Sequence, residues 1–365
     1  MWRAGVRRLT LARWAVLLTL ACSALAQAAD DPHPHPLPPP GGSGSEDNAF
    51  PRAGEGEFKW QLPRGFPIPA VPADNPMSTD KVRLGRLLFY ERRLSVTGEY
   101  ACASCHAQPR AFTDGRARAI GATGQVHPRS AMSLGNVAYN PAFTWTDAGF
   151  ASLESQVTQP LFNEEPIEMG LKGREGVALE NLAADAAYRD LFARSFPNDP
   201  APINVVNIAR ALASFERTLI SGRSAFDRYV FDDDRTALDA SAKRGMAFFY
   251  AERFGCGQCH SGITLSGPIV HAKQPAADPT FVDTGEGRFR VPTLRNVAVT
   301  APYMHDGRFA SLGDVIDHYA AASAAPRDRR LRGFTISAAE KADLVTFLES
   351  LTDREFLADP RFGPP

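Results

Sequence analysis

Cys256-Gly257-Gln258-Cys259-His260 decides how the rest of this chain is read, and it has an earlier twin in Cys102-Ala103-Ser104-Cys105-His106. Cys-x-x-Cys-His is the attachment sequence of c-type haem: two thiols bond the porphyrin vinyl groups and the adjacent histidine ligates the iron. One such pentapeptide also fits a zinc half-site. Two of them in one exported chain predict two covalently bound haems c, with His106 and His260 as proximal ligands.

Export is read from the N-terminus. Arg3, Arg7, Arg8 and Arg13 flank an apolar run from Trp14 to Ala26, and Ala26-Gln27-Ala28 supplies the small residues of a cleavage site. Residues 1–28 therefore read as a signal peptide, which predicts a periplasmic protein with no membrane span after cleavage. Cleavage removes Cys22 and leaves cysteines only in the two haem motifs, so no thiol remains for a disulfide. A formal net charge of −1 gives no reason to expect a nucleic-acid partner.

Outward from the motifs, residues 29–59 are rich in proline and glycine and read as a flexible leader, His33 and His35 included. Trp60 to Pro76 stays proline-dense, which predicts an extended arm lying on the first domain. Helical spacing then dominates, over Lys81–Tyr90, Asn204–Ser221, Asp239–Phe254, Ser311–Ala322 and Ser337–Leu351. Alternation of the β kind is scarce. The expected architecture is mostly α, with a cytochrome c-like domain over 60–228, a second over 229–355 and a tail over 356–365. The boundary is placed between Ser221 and Thr236.

The chain also repeats itself. Gly85-x-x-x-Phe89-Tyr90 matches Gly245-x-x-x-Phe249-Tyr250, and Leu134-Gly135-Asn136-Val137-Ala138 matches Leu294-Arg295-Asn296-Val297-Ala298. Phe150-Ala151-Ser152-Leu153 matches Phe309-Ala310-Ser311-Leu312 in the same order. The repeat allows the iron's sixth position to be compared between halves, and that position separates an electron carrier from a catalyst. Ten residues separate Phe309 from Tyr319, and the same step from Phe150 reaches Pro160, which has no donor group. A filled site at the His260 haem and an open one at the His106 haem are the expectation. Met304, His305 and His271 compete with Tyr319 as ligands, whereas His318 falls on the outer face of its helix.

From Trp60 to Leu351 the chain resembles the bacterial di-haem cytochrome c peroxidase and MauG superfamily. The blocks that carry the likeness are Ala111-Phe112-Thr113-Asp114-Gly115, Pro166-Ile167-Glu168-Met169-Gly170 and Pro302-Tyr303-Met304-His305-Asp306-Gly307. Leu62-Pro63-x-Gly65-Phe66-Pro67 and the block from Val71 to Ser78 look most like the MauG-type enzymes of methanobactin gene clusters. The resemblance implies a peroxide-dependent oxidoreductase and assigns roles. Tyr319 stands where MauG-type members carry a tyrosine ligand and peroxidases a methionine. Gly121-Ala122-Thr123-Gly124-Gln125 lacks the histidine with which many peroxidases cap the first haem; His127 is the substitute if that loop folds differently. Gln156, Pro160 and Glu168 match the distal pocket, with Glu168 as acid/base and Glu164 or Glu165 as alternatives, because the segment is expanded by two residues at Asn163-Glu164-Glu165 relative to the family. Trp145 matches the tryptophan between the haems. Asn136, with the carbonyls of Thr300 and Pro302, matches a bridging calcium ion, a hard cation suited to oxygen ligands. Phe254 stands where MauG has a surface tryptophan, so any exit for oxidising equivalents differs here. The implied activity uses hydrogen peroxide to reach a high-valent di-haem state that oxidises a residue, a tryptophan, of a partner protein, a copper-binding one in the methanobactin group. The alternative is a peroxidase that draws electrons from a small cytochrome c or cupredoxin.

Overall fold

The computed structural model of the chain describes residues 58–146, 148–274, 279–321 and 328–365. Residues 1–28, expected as a signal peptide, and nearly all of the expected leader over 29–59 lie outside them. Helices dominate: α1 (Thr79–Phe89), α2 (Cys102–Cys105), α3 (Leu153–Phe162), α4 (Glu175–Ala184), α5 (Ala186–Ser195) and α6 (Val205–Glu216) come first. α7 (Ala225–Phe231), α8 (Ala240–Tyr250), α9 (Leu312–Ala320), α10 (Ala338–Glu349) and α11 (Arg354–Ala358) follow. One antiparallel hairpin, β1 (Phe281–Asp283) with β2 (Arg288–Arg290), pairs Val282 with Phe289. No helix among the described residues is long and apolar enough to cross a membrane.

Capping chemistry sets the helix starts. Ser78, Ser152, Asn204, Asp239, Ser311 and Ser337 each accept a hydrogen bond from a backbone N–H of the first turn. The expected helices therefore begin one residue inside those caps, except α1, which starts earlier than Lys81. Two of them also stop early. α6 ends at Glu216 and not at Ser221, because Asn136 holds the backbone of Ser221 in both directions, Nδ2 to the carbonyl at 2.9 Å and the N–H to Oδ1 at 3.0 Å. α8 ends at Tyr250 and not at Phe254, and Gly255, with φ +68°, then turns the chain into the second haem motif.

Both Gly-x-x-x-Phe-Tyr segments are helices, and each crosses a partner at its glycine. A Cβ on Gly85 would stand 1.9 Å from the Ala211 carbonyl oxygen of α6, and one on Gly245 would stand 1.9 Å from that of Asp343 in α10. Phenylalanines fill both crossings: Phe89 and Phe215 lie 5.3 Å apart, Phe249 and Phe347 5.2 Å apart.

The segment between Ser221 and Thr236 is not a loose joint. It carries α7, whose Asp227 meets Arg295 with both carboxylate oxygens at 2.7 Å, a pair whose side chains are no more than 2% exposed. The arm also does more than lie on the first half: Phe66 touches Tyr139 at 6.0 Å and sits 5.0 Å beneath the Arg295 guanidinium. The residues 356–365 expected as a tail pack back onto the first half. Gln108 donates to the carbonyls of Phe356 and Asp359, and Tyr90 to that of Phe362.

Candidate active site

The two haem motifs present their histidines alike. His106 Nδ1 lies 2.8 Å from the Phe112 carbonyl, and His260 Nδ1 lies 2.8 Å from the Leu265 carbonyl. A carbonyl only accepts, so Nδ1 carries the proton in each ring and Nε2 is left with its lone pair. Burial lowers the pKa of both imidazoles, which keeps them neutral, as a ligand must be. The accepting carbonyls are aimed by unusual backbone: Phe112 has φ +61° and Leu265 φ +53°.

Around the second motif lies a cavity of about 310 Å³, lined by Cys256, Cys259, His260, Phe249, Phe254, Arg290 and Tyr319. Tyr319 arrives from α9, the eighth residue after the cap Ser311, and burial pushes its phenol up to about 12. A metal is therefore needed to hold it as phenolate. Pro160 is the eighth residue after the cap Ser152 of α3. Of the competing ligands, Met304 and His305 also line the cavity. The His305 ring is stacked 4.1 Å from Phe289, and its Nε2 lies 3.7 Å from Glu286. His271 bonds within its own turn, and His318 is exposed as expected.

These residues fit a covalently held haem. The observation that decides it is Arg290. Among the described residues this buried guanidinium, drawn down to about 10 by burial, has no partner for Nε, and its Nη2 reaches only Met132 Sδ at 3.6 Å. A lone buried cation is costly, and the carboxylates of a porphyrin would satisfy it. Trp145 stands at the same wall. Its Nε1 donates to Ser130 O at 3.0 Å, its carbonyl accepts from the Arg290 N–H at 2.7 Å, and its ring meets His305 edge-on.

Beyond α3, Met169 N bonds the Pro160 carbonyl at 2.9 Å, which fastens Glu168 beside Pro160. The loop from Gly121 to Gln125 docks against the same segment: Ala122 N donates to Glu168 O at 2.7 Å, and Ile167 N to Gln125 Oε1 at 2.6 Å. Gly121 is required there, since a Cβ would stand 1.8 Å from the Ile167 carbonyl oxygen. Burial pushes the Glu168 carboxyl up to about 7, and His127 Nε2 faces it at 3.8 Å. Glu164 is exposed and paired with Lys172, and Glu165 is exposed. Gln156 is half-buried on α3, four residues before Pro160.

Asn136, which the family resemblance assigns to calcium, lies in the interior. It is fully buried with φ +63°, its carboxamide is taken up by Ser221, and it is not among the residues that line the cavity with Thr300 and Pro302. Its repeat counterpart Asn296, φ +60°, donates to Ser221 Oγ at 2.9 Å and accepts from Asp353 N at 2.7 Å. The two asparagines converge on one serine and tie the halves together. Among the described residues no three His, Cys, Asp or Glu side chains gather to hold a free metal ion.

Such paired histidine sites define a di-haem oxidoreductase, and the comparisons say which kind. Residues 79–235 match the family model of the di-haem cytochrome c peroxidases. The chain is 34% identical to the methylamine utilization protein MauG of Methylorubrum extorquens, over 80% of this chain and 83% of that one. It is 32% identical to the cytochrome c551 peroxidase of Nitrosomonas europaea, over 78% and 84%. The crystal structure of a MauG-like protein associated with microbial copper homeostasis superposes with a TM-score of 0.80 at 37% identity, over 84% of this chain and 99% of that one. The chain belongs to the di-haem cytochrome c peroxidase and MauG family. It is a peroxide-dependent di-haem oxidoreductase.

Proposed function

We propose that this chain is a periplasmic enzyme that uses hydrogen peroxide to oxidise a residue, a tryptophan, of a partner protein. Its halves, 60–228 and 229–355, are two copies of one cytochrome c unit with different tasks. The observation that carries the reading is the eighth residue after each helix cap, Pro160 in α3 and Tyr319 in α9. Proline offers nothing to bind there, which leaves the His106 side open to peroxide. The phenol of Tyr319 completes the His260 side and suits it to storing oxidising power.

Haems held by the two motifs would supply the redox chemistry, the two electrons that each peroxide takes. The chain's own residues handle the proton. Glu168, with a carboxyl near 7, takes the proton of the inner peroxide oxygen and returns it to the outer one, which promotes O–O cleavage. Gln156 orients the peroxide from the preceding turn. Trp145 fills the wall between the two sites, and the bond from its Nε1 to the Ser130 carbonyl fixes the indole.

The partner is read as a copper-binding protein, and the likeness to the copper-homeostasis structure supports that. The test is mass spectrometry of the protein encoded beside this one after treatment with holoenzyme and peroxide. An added oxygen on a tryptophan is the expected result. An unmodified partner, together with rapid turnover of a reduced small cytochrome c, would replace this reading with an ordinary peroxidase, as the relatives of that name support.

A further inference from the structure

The pattern Gly-x-x-x-Phe-Tyr ends in a tyrosine beside each haem motif, and the two tyrosines have different fates. Each stands edge-on to its phenylalanine, Phe89–Tyr90 at 5.4 Å and Phe249–Tyr250 at 5.1 Å. The Tyr90 hydroxyl donates to the Phe362 carbonyl at 2.8 Å, beneath the C-terminal segment. Arg86, one turn earlier, holds that segment in place through the carbonyls of Gly363 and Pro364. At the matching position the second half has Met246, which packs on the core instead. Tyr250 is left 49% exposed, and its hydroxyl has no hydrogen-bond partner among the described residues.

Tyr250 is nonetheless in contact with the haem-binding motif. It lies against Gly257, between the two cysteines, so closely that a Cβ there would stand 2.7 Å from its Cδ1. The next ring inward, Phe249, is buried and has its centre 6.5 Å from that of His260. A short run of packed rings therefore leads from the proximal ligand to solvent, and tyrosine is the redox-active residue at its outer end. Electron transfer falls off steeply with distance, so contacts of this length favour the route over one through saturated side chains.

We infer that Tyr250 is the surface relay through which oxidising equivalents leave the enzyme for a macromolecular donor, an exposed indole or phenol on a protein partner. This rests on the proposed oxidation of a partner protein. Each hydrogen peroxide takes two electrons and two protons to become two waters. Tyr250 gives one electron inward and its phenolic proton to solvent, leaving a neutral tyrosyl radical. The radical then takes one electron and one proton from the partner side chain. Two such passages balance one peroxide.

The test needs no partner. Holoenzyme is treated with hydrogen peroxide in the presence of a nitroso spin trap, digested and mapped by mass spectrometry. The expected adduct lies on the peptide that contains Tyr250. Tyr250→Phe abolishes it, Tyr250→Trp moves it to the new indole, and Tyr90→Phe leaves it in place. An adduct that survives Tyr250→Phe at the same yield overturns the inference, and so does consumption of peroxide by the unaltered enzyme with no label on Tyr250. Because the trap stands in for the partner, a failure of partner oxidation leaves this result interpretable on its own.

Discussion

At the scale of the residue, environment separates groups that the sequence presents alike. Glu164, Glu165 and Glu168 are equivalent on paper, yet Glu164 and Glu165 are exposed, while burial pushes the Glu168 carboxyl up to about 7. Only the carboxylate form accepts a proton, and His127, its facing group, has its own pKa lowered by burial and stays neutral. The rate of the peroxide reaction should therefore rise with pH through about 7 and fall tenfold per unit below it. Glu168→Gln should remove that limb and slow the reaction roughly 10²-fold or more, read by stopped-flow absorption. The same loss in Glu164→Gln, with Glu168→Gln unaffected, would move the role. Tyr319→Met should raise the potential of the second haem, since a thioether favours ferrous iron more than phenolate does; an unchanged potential in a spectroelectrochemical titration would remove Tyr319 from the iron. Glu216 is a different case, buried with Oε2 unpartnered among the described residues and its carboxyl pushed up to about 8. Between the ordinary 4.5 and that value the folded chain holds a proton that the unfolded chain has lost, so stability falls as pH rises across the window. Glu216→Gln should flatten the change in urea midpoint between pH 5 and 8.

At the scale of the element, glycine decides more than helix propensity does. Alanine at 85 or 245 gains up to about 1 kcal/mol of propensity. It also meets a carbonyl oxygen at 1.9 Å, and overpacking of that kind costs about 1–3 kcal/mol. Each substitution should lower the melting temperature. Unchanged melting in both would mean that the helix pairs open at no cost. The α1, α8, α9 and α10 helices were legible in sequence because their apolar spacing and caps agree. The hairpin of β1 and β2 was not, because three-residue strands give no period to count. Nor was the fate of 356–365, which depends on carbonyls received by Arg86, Tyr90 and Gln108, side chains more than 245 residues earlier.

At the scale of the molecule, the motifs and their repeat predicted what the chain binds, while the knot on Ser221 that joins the halves could be seen only in the fold. The family resemblance assigns Asn136 to a bridging cation, and its bonds to the backbone of Ser221 are visible only in the fold. The central claim is that two similar units carry unlike iron sites, one open beside Pro160 and one closed by Tyr319. Electron paramagnetic resonance of the resting oxidised holoprotein tests this directly. One high-spin and one low-spin ferric signal, in equal amounts, is the predicted result, and two low-spin signals would contradict it.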